Sequence, residues 1–245
     1  MAKIAKKQRL ALRLKLREWR DRVADASPPL LRRRLAPFVH YADMLFVDHG
    51  IFRIVYANRH ALGNKAWRAA QPTPGQIRRY AREGIKTIVN LRGARYCGSY
   101  WLEQQACARH GIALIDFQVR SRAAPTRAEL RAARDLLERI EYPMLMHCKS
   151  GADRAGLMSV LYRHLRDGVP IAAAIGELHL RYGHVRSAST GILDRFFEDY
   201  IAYDARHPIA FFQWVETVYE PETLYRSFHA NRWSNLLVDR LLRRE

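Results

Sequence analysis

Cys148 and Arg154 lie six residues apart in the run His147-Cys148-Lys149-Ser150-Gly151-Ala152-Asp153-Arg154, and they are the pair best suited to covalent chemistry on an oxyanion. A thiolate attacks phosphorus in line, while a guanidinium donates two parallel hydrogen bonds to phosphate oxygens, more strongly as charge builds in the transition state. The run follows the apolar stretch Pro143-Met144-Leu145-Met146 and precedes Ala155-Gly156-Leu157-Met158, so it reads as a junction between a buried strand and a helix. There the backbone N–H groups of Lys149, Ser150, Gly151 and Ala152 can converge on an anion, and the helix dipole adds positive potential. Gly151 lets the loop turn where a Cβ would obstruct it. The chemistry implied is hydrolysis of a phosphomonoester through a phosphocysteine that water later cleaves, with no metal or other cofactor.

A loop of this kind needs a sheet beneath it and helices on the sheet's faces. Phe52–Tyr56 reads as a short strand, Pro74–Arg82 as a helix ended by Gly84, and Lys86–Leu91 as a buried strand. A helix over Trp101–His110 leads through Gly111 into a strand at Ile112–Val119. After a loop containing Pro125, a helix over Arg127–Ile140 precedes the strand Pro143–His147, and from Ala155 the chain reads as helical to its end. This alternation predicts an α/β fold, with a central, mostly parallel sheet flanked by helices. Helical extensions are expected at both ends: a basic one at residues 1–34, then the main domain at 35–205, then an aromatic-rich one at 206–245.

The chain carries a net charge of +18, half of it in residues 1–34, where twelve Lys and Arg face three acids. Within that segment residues 3–25 read as a helix with Leu12, Leu16, Trp19 and Val23 on one side and cations around the rest, stopped by Ser27-Pro28-Pro29. Such a helix either docks on the domain through its apolar stripe or lies on an anionic membrane surface. No apolar run is long enough to span a bilayer or form an export signal. The three cysteines, without CxxC spacing, argue against a disulfide scaffold or zinc site and for a reducing, cytoplasmic setting, open to peripheral attachment at the inner membrane face. The histidines, including His184, show no metal spacing and read as surface or core residues. Nucleic-acid binding rests on charge alone, with no recognition motif to support it.

His-Cys, five residues, then Arg resembles the active-site motif of the protein tyrosine and dual-specificity phosphatases. The similarity extends upstream through Trp67-Arg68-Ala69-Ala70-Gln71-Pro72 and Gly84-Ile85-Lys86-Thr87-Ile88-Val89-Asn90-Leu91-Arg92, and resembles the compact, atypical and bacterial members over roughly residues 50–185. The resemblance implies the cysteine-phosphatase fold, Cys148 as nucleophile, Arg154 as phosphate ligand and His147 as a residue that orders the loop. It implies two candidates for the proton donor. Asp116, 32 residues before the cysteine, matches the usual acid in spacing but sits inside a predicted strand. Asp153, directly before Arg154, matches a branch with the pattern Cys-x-x-Gly-x-Asp-Arg and is the favoured choice.

Two departures matter. Ala155 stands where the family commonly has Ser or Thr to assist hydrolysis of the phosphocysteine, so the second step is expected to be slow, unless Ser150 compensates, and a weak phosphate-binding module is the alternative. Lys149, as in family members that act on phosphoinositides, and Arg120 and Arg122 in the preceding loop would give the pocket mouth extra positive charge. The expected partners are therefore a phosphorylated protein or a phosphorylated lipid or inositol.

Overall fold

The computed structural model describes residues 29–48, 53, 55–63 and 65–228. The helix expected at 3–25, with the membrane reading attached to it, lies outside the described residues.

Five strands form one sheet in the order β1-β2-β5-β3-β4. β1 (His60–Leu62) pairs antiparallel with β2 (Ala66–Ala70), and β2, β5 (Met144–Cys148), β3 (Thr87–Asn90) and β4 (Ala113–Asp116) run parallel. Every residue of β3 and β5 is buried. That is the pattern of a parallel sheet covered on both faces, where strands read as unbroken apolar runs. Along β5 the side chains alternate. Met144, Met146 and Cys148 join one hydrophobic cluster with Leu130, Leu137, Leu157, Phe196 and Phe197. Leu145 joins the other with Ile77, Tyr80, Ala106 and Cys107.

The covering helices form where their capping residues say they should. Thr73 caps α2 (Pro74–Arg82), with the Gln76 side chain returning to the Thr73 N–H and Pro74 in the first turn. Thr126 and Glu129 make the same reciprocal cap on α4 (Arg127–Arg139). Gly84, at φ +84°, follows the end of α2 and turns the chain into β3. α2 and α3 (Gly98–His110) cover one face of the sheet; α4 and α5 (Asp153–Asp167) cover the other. Beyond α5 lie the short α6 (Ile171–Ala174), then α7 (Ile192–Asp204), α8 (Phe211–Thr217) and α9 (Pro221–Ser227). Their aromatics pack back onto the same core, Phe196 lying 5.9 Å from Phe211 and 4.9 Å from Tyr219 between ring centres. Burying side chains of this size contributes about 1.5–3 kcal/mol each. Among the described residues no helix is long and apolar enough to cross a membrane.

Three elements differ from expectation. Pro29, read only as a stop, begins a helix, α1 (Pro29–Ala42), which meets α3 where His40 stacks on Trp101 at 4.2 Å. The strand expected at Phe52–Tyr56 is not found at its described residues: Arg53 and Val55 are helical, Arg53 buried in a polar network and Val55 exposed. The sheet edge is built instead by β1 and β2. β2 is Ala66-Trp67-Arg68-Ala69-Ala70, whose alanines have weak strand propensity. Finally, β4 stops at Asp116, although Phe117 and Val119 still donate backbone hydrogen bonds to Asn90 and Leu91.

Candidate active site

The parallel strands end at one edge, and the loop from Cys148 to Arg154 rises from the middle of it. Cys148 closes β5 opposite Ala70 of β2, and Asp153 opens α5. Gly151 holds φ +74°, and a Cβ placed on it would come within 2.6 Å of the Ala69 carbonyl carbon and 2.7 Å of the Ala70 nitrogen. The absence of a side chain at Gly151 thus lets the loop lie directly on that strand's backbone. Gly151→Ala is expected to cost about 2–5 kcal/mol, from left-handed strain plus overpacking against backbone that cannot yield. Thermal unfolding measures the cost; a loss below about 1 kcal/mol would contradict the tight seating.

The loop is held from behind by two side chains. Arg68, wholly buried, donates Nη2 to the carbonyls of Gly151 and Ala152, both at 2.9 Å. Its Nη1 donates to the Glu177 carbonyl at 2.6 Å and carboxylate at 3.0 Å, and its guanidinium sits 3.9 Å over the Tyr182 ring. Asn58 donates to the carbonyls of Ser150 at 2.7 Å and Tyr182 at 2.8 Å. In a trans peptide plane the N–H points opposite the C=O. Drawing the carbonyls of Ser150, Gly151 and Ala152 toward Asn58 and Arg68 therefore turns the N–H groups of Gly151, Ala152 and Asp153 away from them, as an anion cradle requires. In the sequence Arg68 stands out only as part of a motif string, and nothing marks Asn58 or Glu177. A charged residue inside an otherwise apolar strand was the available signal.

His147 points to the opposite face of the sheet. Its Nε2 lies 2.6 Å from Glu103 Oε1, both side chains fully buried, in a contact off the line of a well-aligned hydrogen bond. Its Nδ1 is 3.3 Å from the Cys148 carbonyl oxygen. Glu103 accepts a 2.8 Å bond from Gln71, whose oxygen accepts from Arg53 at 3.2 Å and from Arg92. Asp48 gathers Arg53 and Arg92, each at 3.1 Å, and the Ser99 hydroxyl at 2.7 Å. Burial works to raise the Asp48 pKa, but the charges of Arg92, Arg53 and Lys149 overcome it and hold the carboxyl far below its ordinary range. Lys149, expected as an added cation on the pocket wall, ion-pairs with this carboxylate at 3.5 Å.

The two carboxylate candidates occupy different places. Asp116 ends β4 in register with Asn90 of β3, which is itself opposite His147. It therefore shares the loop's sheet edge at a distance of two strands, about 9–10 Å across the ladder. Its carboxylate accepts from Asn90 Nδ2 at 2.7 Å and from the Tyr100 hydroxyl. Asp153 is buried within the loop's own helix turn, and its Oδ1 lies 2.7 Å from His184 Nδ1. His184 Nε2 lies 2.6 Å from Asp194 Oδ2. Burial acts to lower the His184 pKa, and the hydrogen bonds and charges of Asp153 and Asp194 override it, raising the value to about 9. Arg154 is buried in the first turn of α5. Arg120, expected at the pocket mouth, is forked onto Glu129 at 3.1 and 3.0 Å and anchors the start of α4 instead. Arg122 is half-buried in the same loop between β4 and α4.

Residues 55–190 match the model of a protein family described as DSP-PTPase phosphatase fused to NAD+ kinase. No curated protein matches the chain. Among solved structures, P. aeruginosa TpbA matches at 22% identity, covering 70% of this chain and 90% of that one, with a TM-score of 0.47. The core catalytic domain of the PP-IP phosphatase SIW14 from S. cerevisiae, in complex with citrate, matches at 19% identity over 62% and 92% of the two chains, with a TM-score of 0.48. PTPMT1 matches at 18% identity over 61% and 99%, with a TM-score of 0.44.

Proposed function

This chain belongs to the DSP-PTPase phosphatase family, and we propose that it works through a phosphocysteine formed on Cys148. The observation that carries the reading is the anchoring of the Ser150, Gly151 and Ala152 carbonyls by Asn58 and Arg68, which presents the opposite N–H groups as an oxyanion cradle around the cysteine that ends β5. The substrate phosphate enters that cradle, with the N–H groups of Gly151, Ala152 and Asp153, opposite the anchored carbonyls, as backbone donors beside those expected of Lys149 and Ser150, and Arg154 giving two parallel guanidinium bonds. The thiolate attacks phosphorus as the P–O bond to the leaving oxygen breaks, and Asp153 gives that oxygen its proton. Water then attacks the phosphocysteine, and the thiolate leaves.

Asp153 is preferred to Asp116 because it belongs to the loop itself, whereas Asp116 is bonded to Asn90 and Tyr100 two strands away. The preferred substrates are phosphoproteins, phosphotyrosine first. The pairing of Arg120 with Glu129 withdraws positive charge that pointed toward a lipid or inositol headgroup, while Lys149 shares the single Asp48 carboxylate with Arg53 and Arg92. Ala155 supplies no hydroxyl to the departing thiolate, so the phosphoenzyme should accumulate.

Rapid mixing with a small aryl phosphate, in the presence of chelator, should give a burst of aryl product followed by slower turnover. Acid quenching should leave phosphate on the peptide that contains Cys148. A protein that binds vanadate but forms no phosphoenzyme would be the phosphate-binding module instead. One that does neither would overturn the reading.

A further inference from the structure

Asp153, His184 and Asp194 form a closed chain of two short contacts, 2.7 Å and 2.6 Å, through one imidazole. All three side chains are buried, with side-chain exposures of 7% for Asp153, 1% for His184 and 6% for Asp194. Each contact joins a ring nitrogen to a carboxylate oxygen, so each requires a proton between the two atoms. The three groups therefore hold two protons in common. Both residues that complete the chain come from outside the phosphate loop: His184 from the segment after α6, and Asp194 from the first turn of α7.

Resting on the reading of Asp153 as the acid, we propose that His184 is its positioning residue, aligning Asp153 and restoring the proton it donates to the leaving oxygen. As the S–P bond forms and the P–O bond breaks, the leaving oxygen takes a proton from Asp153. Asp153 recovers one from His184 Nδ1, while the Nε2 proton stays shared with Asp194. In the second step the attacking water gives its proton to Asp153, the S–P bond breaks, and the proton passes back to His184. The cluster ends each cycle as it began, and ester plus water becomes alcohol plus inorganic phosphate.

Two features fit this role better than simple packing. A salt bridge that only held the loop would need one carboxylate; the second, Asp194, holds the Nε2 proton in place, so that Nδ1 is the nitrogen that gives up and regains its proton as Asp153 cycles. His184 and Asp194 also border an open groove of about 870 Å³ with Leu180 and Ile201, which places the far end of the buried cluster next to solvent. The charged and titratable groups facing it there are His179 and the Arg186–Glu198 ion pair, whose charges cancel at 2.5 Å.

The test is His184→Asn, assayed with phenyl phosphate, whose leaving group needs a proton, and with an activated nitroaryl phosphate, whose leaving group does not. The expected result is a fall in kcat/KM of about 10²-fold for phenyl phosphate and of less than about threefold for the activated ester. The alkaline limb of the pH profile should move down by at least about one pH unit, because Asp153 then depends on its own carboxyl proton. Equal losses on both substrates with an unmoved limb would mark a structural role and overturn the proposal. Should His184→Asn not fold, Asp194→Asn serves with the same readouts, a smaller downward shift being expected and an unchanged profile overturning it. Wild-type protein that forms no phosphocysteine would instead defeat the reading on which the proposal rests.

Discussion

Cys148→Ser is expected to lower turnover of an aryl phosphate by at least about 10⁴-fold while leaving anion binding nearly intact. The two effects separate because different atoms produce them. The cysteine sulfur makes the covalent bond, and a serine hydroxyl buried at the same place has no adjacent base among its described partners to activate it. The cradle, by contrast, is backbone whose carbonyls are tied to Arg68 and Asn58, residues the substitution does not touch. Vanadate or phosphate affinity, measured by calorimetry, should stay within about threefold of the wild type. Arg154→Ala should lose both activity and affinity, and Arg154→Lys should restore little, since an ammonium cannot make the two parallel bonds of a guanidinium. Residual activity in Cys148→Ser above about 1% of wild type would exclude the phosphocysteine path.

Arg68→Met is expected to destabilise the fold by about 3–5 kcal/mol. Methionine fills similar space but donates no hydrogen bond. The carbonyls of Gly151 and Ala152 would lose their side-chain donor and the Glu177 carboxylate its cation, all in a region where the arginine side chain is fully buried. The two carbonyls left without their side-chain donor account for most of the cost, and the partly exposed Glu177 carboxylate adds less. The substitution should also weaken vanadate binding by more than stability alone implies, because released carbonyls no longer fix the opposite N–H groups. Urea unfolding and calorimetry on the same sample check both parts. A stability change under about 1 kcal/mol with unchanged affinity would mean the loop is held by other means.

Much of the fold was legible because it is written locally. The reciprocal caps Thr73/Gln76 and Thr126/Glu129 set the starts of α2 and α4 within a few residues of chain, and the all-buried runs of β3 and β5 announced a covered parallel sheet. β2 was not legible as a strand: its alanines disfavour one by propensity, yet it is against the backbone of Ala69 and Ala70 that Gly151 rests. Phe52–Tyr56 misled because its β-branched and aromatic residues suggested a strand, while the destination of Arg53 is the Asp48–Gln71–Ser99 network.

The same division runs through the candidate site. Cys148, Lys149, Ser150, Gly151, Ala152, Asp153 and Arg154 are neighbours in the chain, so one strand-to-helix junction brings them together, and their types and spacing determined the expected chemistry by themselves. Only the tertiary structure decided what stands behind them. Arg68 reaches the loop from 83 residues away, Asn58 from 92 and His184 from 31, and each contact depends on which way a side chain leaves its element. Pairing across a sheet and packing of distant helices set those directions, and neither leaves a periodic mark in the residues concerned. Charges that composition counted as available to a ligand, such as Lys149 and Arg120, were given internal partners by the same packing, a carboxylate lying within 4 Å of each.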